Sequence, residues 1–141
     1  MVTSFTIPGN PKGKARPRVN TNTRRAYTPE STKQYEKIVQ YSYLNAYPAG
    51  MRYHNGPCSV EITACFPVPS SWSRKKKEMA LAGLLEPEAK PDCDNIAKAV
   101  LDALNDLAYK DDSQVTKLTV RKCYEKESCV WVRICSGEVD L

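Results

Sequence analysis

Acidic residues flank a strongly predicted helix in a pattern typical of a metal site. Asp92 and Asp94 stand two residues apart directly before the helix, and Asp111 and Asp112 follow it. Lys98 comes four residues after Asp94, which is one helical turn. If the next strand packs back beside the helix, these carboxylates and the ammonium would share one pocket. Such hard oxygen ligands suit Mg²⁺ or Mn²⁺.

Phosphodiester hydrolysis is the chemistry that suits this combination of residues. A metal ion held by carboxylates lowers the pKa of its bound water and offsets negative charge in the transition state. A neighbouring lysine stabilises the same charge. No Ser, Cys or His nucleophile is required, and His54, in a loop rich in tyrosine and glycine, is expected at the surface.

A purely structural interpretation of these residues explains their spacing equally well. Asp92 or Asp94 would cap the helix, because carboxylates accept hydrogen bonds from the first amides of a helix. Asp94 and Lys98 would form an ordinary surface ion pair. Asp111 and Asp112 would belong to a polar turn. Spacing alone leaves both interpretations open.

The elements that must position these residues follow from hydrophobic periodicity and from turn residues. Their order indicates an α+β fold, a single domain over residues 1–141 with a small, largely antiparallel sheet of about four strands and helices packed on one face. A long loop or hairpin rich in Pro, Asn and basic residues follows the first strand. Strands are predicted at 4–9, 58–66, 114–124 and 129–135, and helices from Pro29 (with Thr28 as N-cap) to near Pro48, from Ser73 to Leu81 and from Asn95 to about Leu107.

Positive charge is concentrated in two segments, although the formal net charge is only +5. No Asp or Glu precedes Glu30, and twelve of the sixteen acidic residues lie at or after Glu86. One region is therefore suited to phosphate and another to cations, although an unevenly charged solvated surface would give the same pattern. The candidates for contact with DNA phosphates are Arg16, Arg18, Arg24, Arg25, Lys75 and Lys76.

Composition argues against several other classes of protein. No apolar run approaches the length of a membrane span, and the first residues lack the apolar stretch of a secretory signal, so we expect a soluble, cytoplasmic protein. Six cysteines are present without a CxxC pair and with one histidine. This is not the pattern of a disulfide scaffold or of a zinc site, and we interpret the cysteines as reduced thiols.

The run PDCDNIAKAVLDALNDLAYKDDSQV resembles the signature of the RusA family of Holliday junction resolvases. That signature combines D-x-D-N, a lysine one turn later, a helix with LDAL, and DD-x-Q followed by Val or Ile. Upstream, GKARPRVNTNTRRAYTPESTKQYE is similar to the basic N-terminal part of phage-type members, and PSSWSRKKKEMALAG to their basic helix. There are two departures from the pattern. Pro91 stands where many members have a basic residue, and Asp106 where many have Gly.

The resemblance implies a homodimeric endonuclease that binds four-way DNA junctions and introduces paired nicks in a Mg²⁺-dependent reaction. The hard oxygen ligands also allow Mn²⁺ to take the place of Mg²⁺. It assigns the catalytic and metal-binding carboxylates to Asp92, Asp94 and Asp112. It assigns the essential lysine to Lys98.

A two-fold dimer would need a self-complementary apolar surface. The sequence offers the C-terminal strands and the apolar residues beside the main stripe of the last helix, although core packing is an equally good place for the latter. These helix residues are Leu101, Leu104 and Ala108.

Two other functions remain as alternatives. A nonenzymatic DNA-binding or architectural protein would need only the basic segments, but acidic residues beside DNA repel phosphate unless they hold a metal ion. A metal-dependent nucleotide phosphohydrolase would use the acidic residues but would leave the basic segments unexplained. Cleavage of junction DNA accounts for both features.

Overall fold

Among the residues that the structure describes, three helices and the four strands of the main sheet follow one another in the predicted order, and the N-terminal basic segment forms a short hairpin of two further strands. The computed structural model describes residues 1–15, 18–48 and 53–137, and the side chain of Arg18 lies outside this description. Within these ranges, no helix is long and apolar enough to cross a membrane. The elements are β1 (Val2–Pro8), β2 (Arg18–Val19), β3 (Ala26–Tyr27), α1 (Glu30–Ala46), β4 (Cys58–Pro67), α2 (Arg74–Leu81), α3 (Cys93–Ala103), a 3₁₀ turn (Asp112–Gln114), β5 (Val115–Glu125) and β6 (Cys129–Ser136).

The main sheet has the strand order β1-β6-β4-β5. β6 runs antiparallel to both β1 and β4, whereas β4 and β5 are parallel. The connection between these two parallel strands carries α2 and α3, because parallel neighbours require a crossover rather than a tight turn. The prediction of an α+β fold with a largely antiparallel four-stranded sheet is confirmed.

One face of the sheet carries the hydrophobic core. Buried and more exposed residues alternate along β1 and β6, as expected for strands with one covered face. The helices α1 and α3 pack against the covered face and against each other. The apolar residues of the last helix, for which the sequence left a dimer interface and the core equally open, are part of this core. Leu101 is 8% exposed, and Leu104 and Ala108 are fully buried.

The ends of two helices differ from the prediction. α3 begins at Cys93 with Asp92 as its N-cap residue, and it ends at Ala103, four residues before the predicted end. Asp106 then adopts a left-handed backbone conformation with φ +63°, which no regular helix accommodates. At α1, Pro29 rather than Thr28 occupies the N-cap position.

His54 is buried inside the molecule, so its predicted surface position is wrong. It is fully buried, with Nε2 2.8 Å from Thr3 Oγ1 and Nδ1 2.6 Å from Ser136 Oγ. Its amide donates to the carbonyl oxygen of Ala108 at 2.8 Å. Burial, with a smaller effect of the N-terminal ammonium, lowers the pKa of His54 to about 4. The neutral imidazole therefore contacts both β1 and β6, and the His54 amide contacts the segment that follows α3.

Candidate active site

The start of α3 presents two exposed carboxylates. Asp92 is the N-cap residue, yet its side chain caps no amide in the described part of the chain. Instead, Asp92 Oδ1 accepts a 3.0 Å hydrogen bond from Asn95 Nδ2. Hydrogen bonds from its own amide and from Asn95 lower the pKa of Asp92, with a smaller contribution from Asp94. Because helix capping does not occupy the Asp92 carboxylate, it remains able to bind a cation beside Asp94.

The two consecutive aspartates after α3 have different roles. Asp111 caps the 3₁₀ turn, because its Oδ2 accepts a 3.0 Å hydrogen bond from the amide of Ser113. The Gln114 side chain completes the capping box by accepting from the Asp111 amide at 3.1 Å. Asp112 is instead positioned through its backbone, since its amide donates to Asn105 Oδ1 at 2.8 Å. The 3₁₀ turn therefore uses the Asp111 carboxylate as its cap, whereas the Asp112 carboxylate is not used for capping.

Asp112 lies in a negative environment near the carboxyl end of α3. Partial burial, followed by the charges of Asp111 and Asp102, raises the pKa of Asp112, and Lys98 acts in the opposite direction. A bound cation would relieve this repulsion. The Asp112 carboxylate is therefore suited electrostatically to a metal ion.

Lys98 pairs with an aspartate that is not among the predicted site residues. Its Nζ lies 3.5 Å from Asp102 Oδ2, one turn toward the end of α3, whereas the spacing predicted a position above Asp94. Lys14 Nζ lies 3.2 Å from the same oxygen and 2.5 Å from Glu36 Oε1. Burial opposes the charge of Lys14, but hydrogen bonds to Glu36 and Asp102 outweigh it and raise the pKa of this lysine.

The segment Gly13–Ala15, which we call the strap, crosses the start of α3. A Cβ atom on Gly13 would lie 2.9 Å from Asn95 Cβ and 3.1 Å from Pro91 Cβ, so only glycine fits this approach. The amide of Lys14 donates to the carbonyl oxygen of Asn95 at 3.1 Å. The strap therefore holds the start of the basic N-terminal segment against Pro91 and Asn95, the residues that flank Asp92 and Asp94 in the sequence.

The predicted phosphate-contacting residues lie on two separate elements. Arg24 and Arg25 are exposed at the β2–β3 hairpin, where Arg24 has φ +54°. Lys75 and Lys76 lie on α2, and Lys76 Nζ is 4.0 Å from the ring centroid of Trp72. Arg16 and the side chain of Arg18 lie outside the described residues.

The predicted metal ligands form two acidic groups along α3. Asp92 and Asp94 occupy its amino end, and Asp112 lies with Asp102 toward its carboxyl end; the helix of 11 residues rises about 16 Å. Within residues 1–15, 18–48 and 53–137, no three His, Cys, Asp or Glu side chains are placed to hold one metal ion. Mg²⁺ commonly binds through one or two carboxylates together with water and substrate phosphates. The donor chemistry of both groups therefore fits Mg²⁺, and a single shared centre stays a prediction.

Several residues that shape the site were missed from the sequence. Asp102 stands in the quoted LDAL motif, and its i, i+4 relation to Lys98 was a usable signal. Gln114 donates from Nε2 to the carbonyl oxygens of His54 and Gly56, at 3.1 and 2.9 Å. The Lys14 pairs carry no comparable signal, because their partners are distant in the sequence.

Comparisons with known proteins agree with the motifs found in the sequence. The family model for endodeoxyribonuclease RusA matches residues 8–135. A protein of Bacillus subtilis (strain 168), described as the uncharacterized protein YqaN, is 40% identical over 134 residues, which cover 92% of this chain and 93% of that protein. Since the match spans nearly the whole domain and includes the D-x-D-N and DD-x-Q motifs, the chain belongs to the RusA family of endodeoxyribonucleases, which hydrolyse phosphodiester bonds in DNA.

Proposed function

We propose that this protein is a Mg²⁺-dependent, structure-specific endonuclease that resolves four-way DNA junctions by paired symmetric nicks. The observation that best supports this proposal is the strap, because it packs the start of the basic N-terminal segment against Pro91 and Asn95, which flank Asp92 and Asp94 in the sequence. The segment of the chain that is richest in basic residues thus continues from the start of α3, whose carboxylates would repel phosphate in the absence of a cation. A DNA-cleaving metal site explains this combination.

Each proposed catalytic residue has a role suited to its surroundings. Asp92 and Asp94 in one acidic group and Asp112 in the other would supply carboxylate oxygens to Mg²⁺, which when bound supplies a more acidic water and a counter-charge for the phosphate. Asp92 stays ionised, since hydrogen bonds lower its pKa. Lys98 is exposed beside Asp102, close enough for its charge to act on Asp112, and would stabilise negative charge on the phosphate during cleavage.

Paired nicking requires two copies of the site. A four-way junction is cut in two strands related by approximate two-fold symmetry, and one copy of this domain carries one set of these residues. A C₂ homodimer would place the same residues against each half of the junction. With the apolar residues of α3 buried in the core, the C-terminal strands are the remaining predicted interface. The half-buried Trp131 of β6 is their largest apolar side chain.

A cleavage assay on labelled DNA tests the proposal. A four-way junction and a linear duplex of the same sequence are incubated with the protein in Mg²⁺, in Mn²⁺ and in EDTA. We expect metal-dependent cuts at symmetric positions of the junction and little cutting of the duplex. Binding without cleavage in either metal would instead support the architectural alternative.

The dimer is tested separately from the chemistry. Analytical ultracentrifugation at low micromolar concentration measures the mass in solution, and a supercoiled cruciform plasmid reports whether both strands are cut in one binding event. A linear plasmid product together with a dimeric mass is expected. A monomer that leaves only nicked circles would refute paired cutting.

A further inference from the structure

Two ammonium groups meet at a single carboxylate oxygen on α3. Asp102 Oδ2 lies 3.2 Å from Lys14 Nζ and 3.5 Å from Lys98 Nζ. Lys14 also contacts Glu36 Oε1 at 2.5 Å, so this cluster links the strap, α1 and α3. Asp102 thus stands between a lysine of the N-terminal segment and the lysine that we place in the chemistry.

The two lysines are held to very different degrees. The side chain of Lys14 is 19% exposed, contacts two carboxylates and follows a glycine that is packed tightly against α3. The side chain of Lys98 is 62% exposed, and its distance to Asp102 is longer than that of Lys14. Asp102 is therefore fixed from the interior by Lys14 and holds Lys98 loosely at the surface.

We propose that Lys14 and Asp102 are positioning residues, which together set the position of the Lys98 ammonium at the surface of α3. The proposal rests on the function proposed above. Asp102 keeps Lys98 near the site in the absence of DNA, and Lys14 offsets part of the Asp102 charge. Because Asp102 is shared, its hold on Lys98 is weak enough for the ammonium to move onto a phosphate.

Removal of either positioning residue has a distinct physical effect. Without Lys14, the full charge of Asp102 acts on Lys98 and on Asp112, so Lys98 is held more tightly and repulsion at Asp112 increases. Without the charge of Asp102, Lys98 loses its partner and its position. Arginine at position 14 keeps the positive charge and the reach to both carboxylates.

Single-turnover cleavage of junction DNA tests the role of Lys14. It is measured with Lys14→Met, Lys14→Arg and Lys37→Ala. Lys37 is an exposed lysine on α1 next to Glu36 and serves as the matched control. We expect Lys14→Met to lower the rate at saturating enzyme about ten-fold with junction affinity within about two-fold, as for a displaced catalytic group. Lys14→Arg should recover most of the rate, and Lys37→Ala should behave as wild type. Loss of junction affinity at an unchanged saturated rate would overturn the proposal.

A second test does not depend on cleavage. It measures how fast an amine-acylating reagent labels Lys98, by peptide mass spectrometry. Labelling of Lys98 should slow by about two-fold or more in folded Lys14→Met and accelerate by a similar factor in Asp102→Asn, since ion pairing protects an amine. Equal labelling in all three proteins would overturn the positioning role even if the protein proves not to cut junctions. A circular dichroism melt confirms that each variant is folded; if Lys14→Met is unfolded, Lys14→Gln replaces it.

Titration with Mn²⁺, followed by electron paramagnetic resonance, separates positioning from metal binding. Asp102→Asn should leave the Mn²⁺ affinity within about two-fold of wild type, whereas Asp112→Asn should weaken it about ten-fold, because a ligand carboxylate contributes directly to the site. A comparable loss in both variants would make Asp102 a ligand and would overturn the proposal.

Discussion

The amide of Asp112 donates a 2.8 Å hydrogen bond to Oδ1 of Asn105, which ties the start of the 3₁₀ turn to the end of α3. Asn105→Ala removes this acceptor. We expect the variant to lose about 1 kcal/mol of unfolding free energy and to cut junctions more slowly with unchanged affinity, because the Asp112 carboxylate is no longer fixed. Urea unfolding and single-turnover cleavage measure the two effects. A full cleavage rate in Asn105→Ala would show that this bond serves stability alone.

The neighbouring aspartates Asp111 and Asp112 should differ sharply when each is replaced by Asn. Asp112→Asn should nearly abolish cleavage and leave binding intact or tighter, since one source of repulsion toward phosphate is gone. Asp111→Asn should stay active, because an amide oxygen can still accept from the Ser113 amide. Equal activity of the two variants would contradict the division of roles between these residues.

The carboxylates at the amino end of α3 should also be needed for chemistry. Asp92→Asn and Asp94→Asn should each reduce junction cleavage to near background while sparing binding, since each removes an anionic metal ligand. Single-turnover assays in Mg²⁺ and gel-shift assays in EDTA measure these quantities. Near wild-type turnover by the double variant would remove this pair from the metal site.

Affinity for DNA should depend steeply on salt, because exposed cations on the hairpin and on α2 would contact phosphates. The pair Arg24→Ala and Arg25→Ala, or the pair Lys75→Ala and Lys76→Ala, should weaken binding and reduce the slope of log Kd against log salt by about 1 to 2. Fluorescence anisotropy on four-way junctions at several salt concentrations provides the slopes. An affinity that hardly changes with salt in the unmodified protein would rule out the electrostatic model.

Acid should destabilise the protein through His54. Its pKa is about 4 when folded against an ordinary value of 6.5, so its contribution is fully present above about pH 6.5 and is lost as the pH falls toward 4. Between pH 7 and pH 5 this amounts to about 2 kcal/mol of unfolding free energy. Urea unfolding of the wild type and of His54→Gln isolates the effect, which the variant should lack. Parallel pH curves for the two proteins would exclude His54 as the cause.

The backbone at Asp106 has a conformation that favours glycine over aspartate. Its φ of +63° is a conformation that glycine adopts without steric cost, and many family members have glycine there. Asp106→Gly should therefore raise the unfolding free energy by up to about 1 kcal/mol. Gly83→Ala, at φ +82°, is the reciprocal control and should destabilise the protein. A loss of stability in Asp106→Gly would mean that the aspartate side chain contributes more than the strain costs.

Local patterns were sufficient to predict most of the secondary structure. Ser73 was predicted as the cap of α2, and its side chain accepts from the Lys76 amide at 3.2 Å. The alternation of apolar residues placed β4 within one residue of its observed end. Helix caps and the alternation of apolar residues along a strand depend on residues that are close in the sequence. They can therefore be recognised without knowledge of the fold.

Contacts between distant residues could not be predicted in this way. The burial of His54 depends on Thr3 and Ser136, which lie 51 and 82 residues away in the chain. Helical spacing permits Lys98 to pair with Asp94 or with Asp102, and the structure shows the pair with Asp102, which Lys14 of the strap also contacts. The aspartate motif was recognised through resemblance, whereas its supporting contacts required the structure.

The position of β6 inside the sheet has a consequence for protein synthesis. Within the described chain, β1 pairs with β6 alone, although β1 is made first and β6 last. A nascent chain that ends before Cys129 can pair β4 with β5 but leaves β1 without a neighbouring strand. The edges of β1 and β4 then stay open to other chains, a condition that favours aggregation and chaperone binding. The sheet is therefore complete only after β6 has emerged from the ribosome. Until then β1 has no partner strand, although nearly the whole domain has been translated.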